Sequence, residues 1–339
     1  MEQERQAQFR RNPALEDLLK ELNGLLAPVE RQVLQRFTMP QYPVVFVIGA
    51  PRCGTTVTTQ WLASSGRFGY PSNMLSRFYD APYLGAKIQR LFADPLYNFN
   101  DEILDFSGAI EFESALGKTR GALAPNEFFY FWRRFIPKAV PEHLTDEEIG
   151  AIDGSLLTAE LAAMEAAFDK PIALKGAYLQ FNIAALSPIF DKALFVYVKR
   201  HPFYNMQSVL ESRVKFYGDR EAWYSVKPKE YEALKGLDPF AQVAGQVYYT
   251  NCAIERGLAE LDEARWLFVP YERFCRDPAG FYDELADKLA AQGCAIRRAY
   301  PGPPAFTATN QVRVTPEEQQ RLLAAYRDIT GEDVAPLDR

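Results

Sequence analysis

The chain has 339 residues, 48% hydrophobic and 24% charged, with a net charge of −6. That is enough apolar material for one large α/β domain or two smaller ones, and an acidic balance without a long basic run argues against nucleic acid as the main partner. No stretch approaches the ~18 apolar residues of a membrane span, and four cysteines and two histidines without C-x-x-C or ligand spacing argue against a zinc site or a disulfide framework.

The first twelve residues, MEQERQAQFRRN, are charged and lack the apolar core of a signal peptide. The protein is expected to be soluble and cytoplasmic. Residues 13–37 carry apolar side chains at helical spacing, among them Leu15, Leu19, Leu22, Leu26 and Val33. Pro28 predicts a break into two helices. The segment 1–40 reads as a helical arm packed on the core, with a homodimer contact as its alternative use.

Residues 43–60, PVVFVIGAPRCGTTVTTQ, hold the main signal. Val44 to Ile48 form a short continuous apolar run, as in a strand buried on both faces of a parallel sheet. Gly49 and Gly54 frame a tight turn, and a helix can begin at Thr55. Strand, glycine loop and helix aim backbone N–H groups at a phosphate. The spacing is that of G-x-x-x-x-G-K-[ST], but Gly54-Thr55-Thr56 lacks the lysine. A cation sits inside the loop instead, at Arg52. Such a loop can cradle a phosphate and is poorly equipped for a Mg²⁺-bound triphosphate.

Residues 66–168 read as an insertion, a lid and acceptor-site region. It is irregular at first, with a short helix near 85–92. It becomes helical from Pro125, with Phe128, Phe131, Trp132 and Phe135 on one stripe that reads as core. Residues 145–168 are predicted helical, and Thr145 with Glu148 makes a capping box. The α/β rhythm then returns. Strands are predicted at 171–175, 193–198 and 266–269, and helices at 179–190, 202–213, 241–262 and 278–291. Residues 214–240 form a second insertion. A last helix has Thr315 as cap, Pro316 at N1 and Glu318 at N3, and ends at Gly331. The fold class is α/β: one parallel sheet flanked by helices, in a single domain over 1–339.

The residues carry a family resemblance. GAPRCGTT resembles the 5′-phosphosulfate loop of sulfotransferases: Pro51, Arg52, Gly54, Thr55 and Thr56 match, and Cys53 replaces the usual serine. The strand before Lys199-Arg200-His201-Pro202, with Ser208 eight residues after Arg200, resembles the family's 3′-phosphate motif, with His201 where aspartate is common. Lys175 ends a strand like the family strand that precedes that motif, and Tyr271–Pro278 resembles a structural segment. Asn310 and Arg313 loosely resemble the C-terminal nucleotide loop.

The resemblance implies sulfuryl transfer from 3′-phosphoadenylyl sulfate (PAPS) to a hydroxyl or amine of a small-molecule acceptor, with no metal. Arg52 would stabilise the leaving phosphate. Cys53, Gly54, Thr55, Thr56, Arg200, Ser208 and Arg313 would complete the nucleotide site. Many family members use a histidine base after the second strand; here Lys175-Gly176-Ala177-Tyr178 holds none, so a carboxylate is expected. Glu127 ranks first because it opens the aromatic helix, ahead of Glu111 and Glu113. Cys53, among amide donors beside Arg52, is expected to be a reactive thiolate, with an inert replacement for serine facing the core as the alternative. The alternatives are a P-loop kinase-like phosphotransferase and a non-catalytic nucleotide-binding protein.

Overall fold

Four strands, β1 (Val44–Ile48), β2 (Ala173–Lys175), β3 (Ala193–Lys199) and β4 (Trp266–Pro270), pair in the order β2-β1-β3-β4, all parallel. This computed structural model describes residues 4–98, 100, 102 and 110–337; the expected insertion at 99, 101 and 103–109 lies outside them. Every residue of β1 is buried. Because successive side chains point to opposite faces, the strands feed two cores. Phe46, Ile48, Leu174 and Phe195 enter one. Val45, Val47, Leu194, Val196 and Val198 enter the other. This explains the continuous apolar runs of β1 and β3, which are covered on both faces.

Parallel pairing requires long crossovers. Helices α1 (Pro13–Leu34), α2 (Thr55–Ser64), α3 (Pro82–Ala93), α4 (Phe129–Phe135), α5 (Asp146–Gly150) and α6 (Gly154–Phe168) precede β2. Between β2 and β4 lie α7 (Ile183–Leu186), α8 (Pro202–Tyr217), α9 (Tyr231–Leu234) and α10 (Pro239–Ala259). After β4 come α11 (Tyr271–Arg276), α12 (Pro278–Ala291) and α13 (Pro316–Thr330). A third core joins α8, α10 and α13 through Met206, Leu210, Val243 and Leu322. Both capping boxes form, at Thr145–Glu148 and Thr315–Glu318, and Gly331 ends α13 in the left-handed region. Among the described residues no helix is long and apolar enough to cross a membrane.

Four expectations need correction. Pro28 does not split α1, which runs unbroken through it. The helix loses one N–H bond there, but Leu19, Asn23, Ala27, Glu30 and Leu34 are buried along one face and hold both halves in place. The 145–168 helix is two helices, α5 and α6, because Asp153 caps a fresh start through Leu156 N. The 179–190 helix reduces to the four residues of α7 and a 3-10 turn containing Pro188. The helix expected from Pro125 starts only at Phe129, because Phe128 adopts φ 56°.

The N-terminal arm is tied to the insertion. Glu30 accepts bonds from Tyr83 N (2.7 Å) and Leu84 N (3.1 Å) at the start of α3. Asn23 Nδ2 donates to Arg77 O (2.8 Å), and Asn23 Oδ1 accepts from Asp80 N (2.8 Å). Strand β1 lies between β2 and β3, so the chain leaves its carboxyl end where the strand order reverses. That is where open α/β sheets form ligand crevices.

Candidate active site

The loop after β1 closes through residues far away in sequence. Arg52 has φ 68°, a left-handed conformation that costs a non-glycine residue roughly 1–2 kcal/mol. Its neighbours hold it there: Arg200 Nη1 donates to Arg52 O (3.2 Å), and Asn205 Nδ2 donates to Pro51 O (2.5 Å). The Arg52 side chain donates from Nε to Ser208 Oγ (3.3 Å). Gly54, with φ 113°, caps α2 and presses its backbone against the Tyr271 ring. The first amides of α2 have no intrahelical acceptor, and Gly54, Thr55 and Thr56 line a cleft of about 1800 Å³. A helix N-terminus facing such a cleft favours negative charge there.

Cys53 contradicts its expectation. It is completely buried, sits in the core cluster behind the loop, and is not among the cleft-lining residues. Burial pushes its thiol up to about 12. Its N–H donates to Ala50 O (3.2 Å) and helps to shape the turn. The side chain where the family has serine therefore packs rather than reacts.

Lys175 was read from sequence only as the end of a strand. Its ammonium lies at the carboxyl end of β2, nearly buried, and donates to Thr56 Oγ1 (2.9 Å) and to Glu127 Oε1 (2.7 Å). One cation thus joins the phosphate loop to the carboxylate ranked first. Glu127 is there for a different reason from the one expected. It precedes the cap of α4 and is not in its first turn. The left-handed Phe128, whose N–H donates to Asn126 Oδ1 (2.8 Å), turns the chain so that Glu127 faces the cleft. Phe128, Phe131, Trp132 and Phe135 are buried in the core, as their stripe implied. The other side of α4 gives Phe129, Tyr130 and Arg133 to the cleft.

A two-residue turn lies over this centre. Ala115 and Lys118 exchange both backbone bonds (2.9 and 3.0 Å), and Leu116 and Gly117 both have positive φ, 53° and 85°. This is the hairpin geometry that glycine permits at its second position. A Cβ on Gly117 would lie 3.4 Å from Glu127 Oε1 and 3.7 Å from Thr56 Oγ1. The carbonyls of Glu111 and Glu113 accept from Gln60 Nε2 (2.9 and 3.0 Å); Glu113 lines the cleft and Glu111 does not.

Arg200 is 5% exposed and lies over the Tyr271 ring at 5.1 Å. Its Nε donates to Asn310 Oδ1 (2.9 Å) and its Nη2 to Thr309 O (2.8 Å). Burial pulls its pKa below the ordinary arginine value, with Tyr271 and Glu272 opposing. Ser208 is buried behind Arg52 and does not line the cleft. Arg313 is not brought to the cleft either. Its guanidinium is bidentate with Glu211 (2.8 and 2.8 Å), which makes it a clasp between the C-terminal segment and α8.

Across the cleft lining stand ten Lys or Arg side chains against three Glu, and no histidine. In a chain of net charge −6 this concentrates positive potential in one place. Sequence reasoning also missed Gln180, whose Oε1 accepts from Gly49 N (3.4 Å), and the aromatic wall of Tyr178, Trp223 and Tyr224. The one available signal was Lys175 itself, a cation closing a buried strand at the ligand end of a sheet.

Residues 43–292 match the model of the Sulfotransferase family. Similar solved structures include sulfotransferase STF9 from Mycobacterium avium, 17% identical, covering 93% of this chain and 84% of that chain, with a TM-score of 0.56. Sulfotransferase STF1 from Mycobacterium tuberculosis H37Rv is 14% identical over 89% of this chain and 78% of that one, TM-score 0.45. The sulfotransferase domain of the Synechococcus PCC 7002 olefin synthase is 16% identical over 88% and 97%, TM-score 0.42. The likeness to STF9 is one of fold; the other two carry no further argument. A search of curated proteins finds no match. Since the family model spans well over half of the chain, the protein belongs to the sulfotransferase family.

Proposed function

We propose that the protein transfers a sulfuryl group from PAPS to a hydroxyl or amine of a small acceptor. The observation that carries this reading is Lys175, bonded at once to Thr56 of the phosphate loop and to Glu127. It sets an anion cradle and a proton acceptor on two sides of one cation. The residues present suit the donor. The α2 amides, Thr55 and Thr56 fit a 5′-phosphate. Arg200, buried and with its pKa depressed, gains from a 3′-phosphate nearby. Phe112 and Phe306, with centroids 5.0 Å apart, line the cleft and offer a face to a base.

When bound, PAPS supplies a sulfuryl group that leaves its 5′-phosphate oxygen for the acceptor's oxygen or nitrogen. Arg52, Lys175 and Thr56 would supply positive charge and donors to that phosphate oxygen as it gains charge. Lys175 holds Glu127 through Oε1, which leaves Oε2 to take the acceptor's proton.

The test is a calorimetric titration with adenosine 3′,5′-bisphosphate and with AMP. The bisphosphate is expected to bind at least ~10-fold more tightly, because charge-assisted bonds contribute about 1.5–3 kcal/mol each. Arg200→Ala should erase most of that preference and leave AMP binding. Equal affinities, or a strict Mg²⁺ requirement, would favour phosphotransfer instead.

A further inference from the structure

Besides the cations of the loop and sheet ends, the cleft carries seven from other segments. Arg11 and Lys235 are ion-paired with Glu16 and Glu232; of the others, Arg5 of the arm, Lys118 of the turn, Arg133 of α4 and Lys227 of the second insertion share one setting. All four rest on aromatic rings. The Arg5 guanidinium lies 5.4 Å from the centroid of Phe216, and the Lys118 ammonium lies 5.2 Å from that of Phe9. Those two rings are themselves stacked, 4.8 Å apart. Arg133 lies over Phe129 (5.9 Å) and Lys227 over Tyr231 (4.6 Å).

The nearby carboxylates are taken elsewhere: Glu4 by Arg10, Glu16 by Arg11 and Glu127 by Lys175. None of the four cations makes an ion pair among the described residues. A ring face attracts a cation only weakly at an exposed site and does not neutralise the charge. The stacked rings therefore bring Arg5 and Lys118 to one side of the cleft, where neither makes an ion pair among the described residues. Burial, with repulsion from Arg5 next, pulls the Lys118 pKa below the ordinary lysine value, and Glu127 opposes this. Lys118 is thus electrostatically coupled both to Arg5 and to the carboxylate that takes the proton. An arrangement of like charges in a concave site is relieved when an oxyanion enters it.

We propose that the acceptor is itself an acid: a small molecule with a hydroxyl or amine and a carboxylate, sulfate or phosphate group, the oxyanion held by Arg5 and Lys118 while the nucleophile reaches Glu127. The proposal rests on the sulfotransfer reading and narrows its acceptor class.

It is tested by calorimetry on the full chain saturated with adenosine 3′,5′-bisphosphate. The probes are 4-hydroxyphenylacetate, 4-hydroxyphenyl sulfate and 4-hydroxyphenyl phosphate, each compared with neutral methyl 4-hydroxyphenylacetate. At least one acid is expected to bind ~10-fold or more tightly than the ester, the size of one charge-assisted contact. The three acids separate the oxyanion classes. The Arg5→Gln/Lys118→Gln double variant should bring that ratio close to one while retaining the bisphosphate. Equal binding of acids and ester, binding of none of the acids, or an acid preference intact in the double variant would overturn the proposal. The native-chain comparison stands even if the variant fails to fold. Failure of the bisphosphate itself to bind would count against sulfotransfer, a separate result.

Discussion

Gly54→Ala is the sharpest structural perturbation of the loop. Gly54 sits at φ 113°, and a Cβ there would meet Tyr271 Cδ2 at 2.4 Å and Cε2 at 2.9 Å. The ring cannot simply step aside. Tyr271 is buried, its hydroxyl accepts from Thr309 N (3.3 Å), and it underlies Arg200. A side chain in this backbone region costs about 1–3 kcal/mol, and overpacking a filled site costs about 1–3 kcal/mol more. The expected loss of stability is therefore about 2–6 kcal/mol, read from denaturant unfolding. Moving Tyr271 also loosens Thr309 and Arg200, so adenosine 3′,5′-bisphosphate affinity should fall ~10-fold or more by calorimetry. Gly66→Ala separates strain from clash: Gly66 has φ 67°, with nothing within 4 Å of its added Cβ. It should lose only about 1 kcal/mol. If Gly54→Ala unfolds like Gly66→Ala and binds the nucleotide normally, the loop is not built against Tyr271 and the argument fails.

Glu127→Gln should abolish transfer with nucleotide affinity intact, whereas Lys175→Met should also weaken nucleotide binding, since it frees Thr56; full turnover in Glu127→Gln, measured by product formation, would place the base elsewhere. Cys53 in the folded protein should resist alkylation at pH 8 because its thiol is buried and pushed up to about 12; mass spectrometry showing modification at the rate of a free thiol would contradict the packing described. Burial raises the Glu30 carboxyl from 4.5 to about 7, against the bonds from Tyr83 N and Leu84 N, with Glu160 adding to the rise and Arg134 opposing it. A raised folded pKa means that its stabilising contribution is complete below about pH 4.5 and is lost as the pH rises through 7. Between pH 5 and pH 8 the always-neutral Glu30→Gln should therefore gain about 2–3 kcal/mol relative to the native chain, beyond any constant offset. A difference that does not change with pH would refute this.

The strand–loop–helix of β1 and α2, the parallel α/β class and both capping boxes were legible in the sequence. Each of these is a local pattern: an apolar run, a glycine spacing, or a hydroxyl three residues before a glutamate. Local patterns also misled where burial overrides propensity. Pro28 sits inside α1 because that helix is held along a packed face. Cys53 looked reactive from its neighbours in the chain, but the loop turns it into the core behind them. Arg313, expected at the nucleotide from the resemblance, is bidentate with Glu211 of α8, a pairing that its neighbours in the chain do not announce.

Which residues meet is settled by the packed fold. Thr56 and Lys175 are 119 positions apart, and Lys175 and Glu127 are 48 apart. They meet because β2 pairs beside β1, with Val47 opposite Lys175, and because a left-handed Phe128 turns Glu127 inward. Strand order and a single positive φ leave no periodic trace in the sequence, since they are set by the packing of whole elements rather than by neighbouring residues.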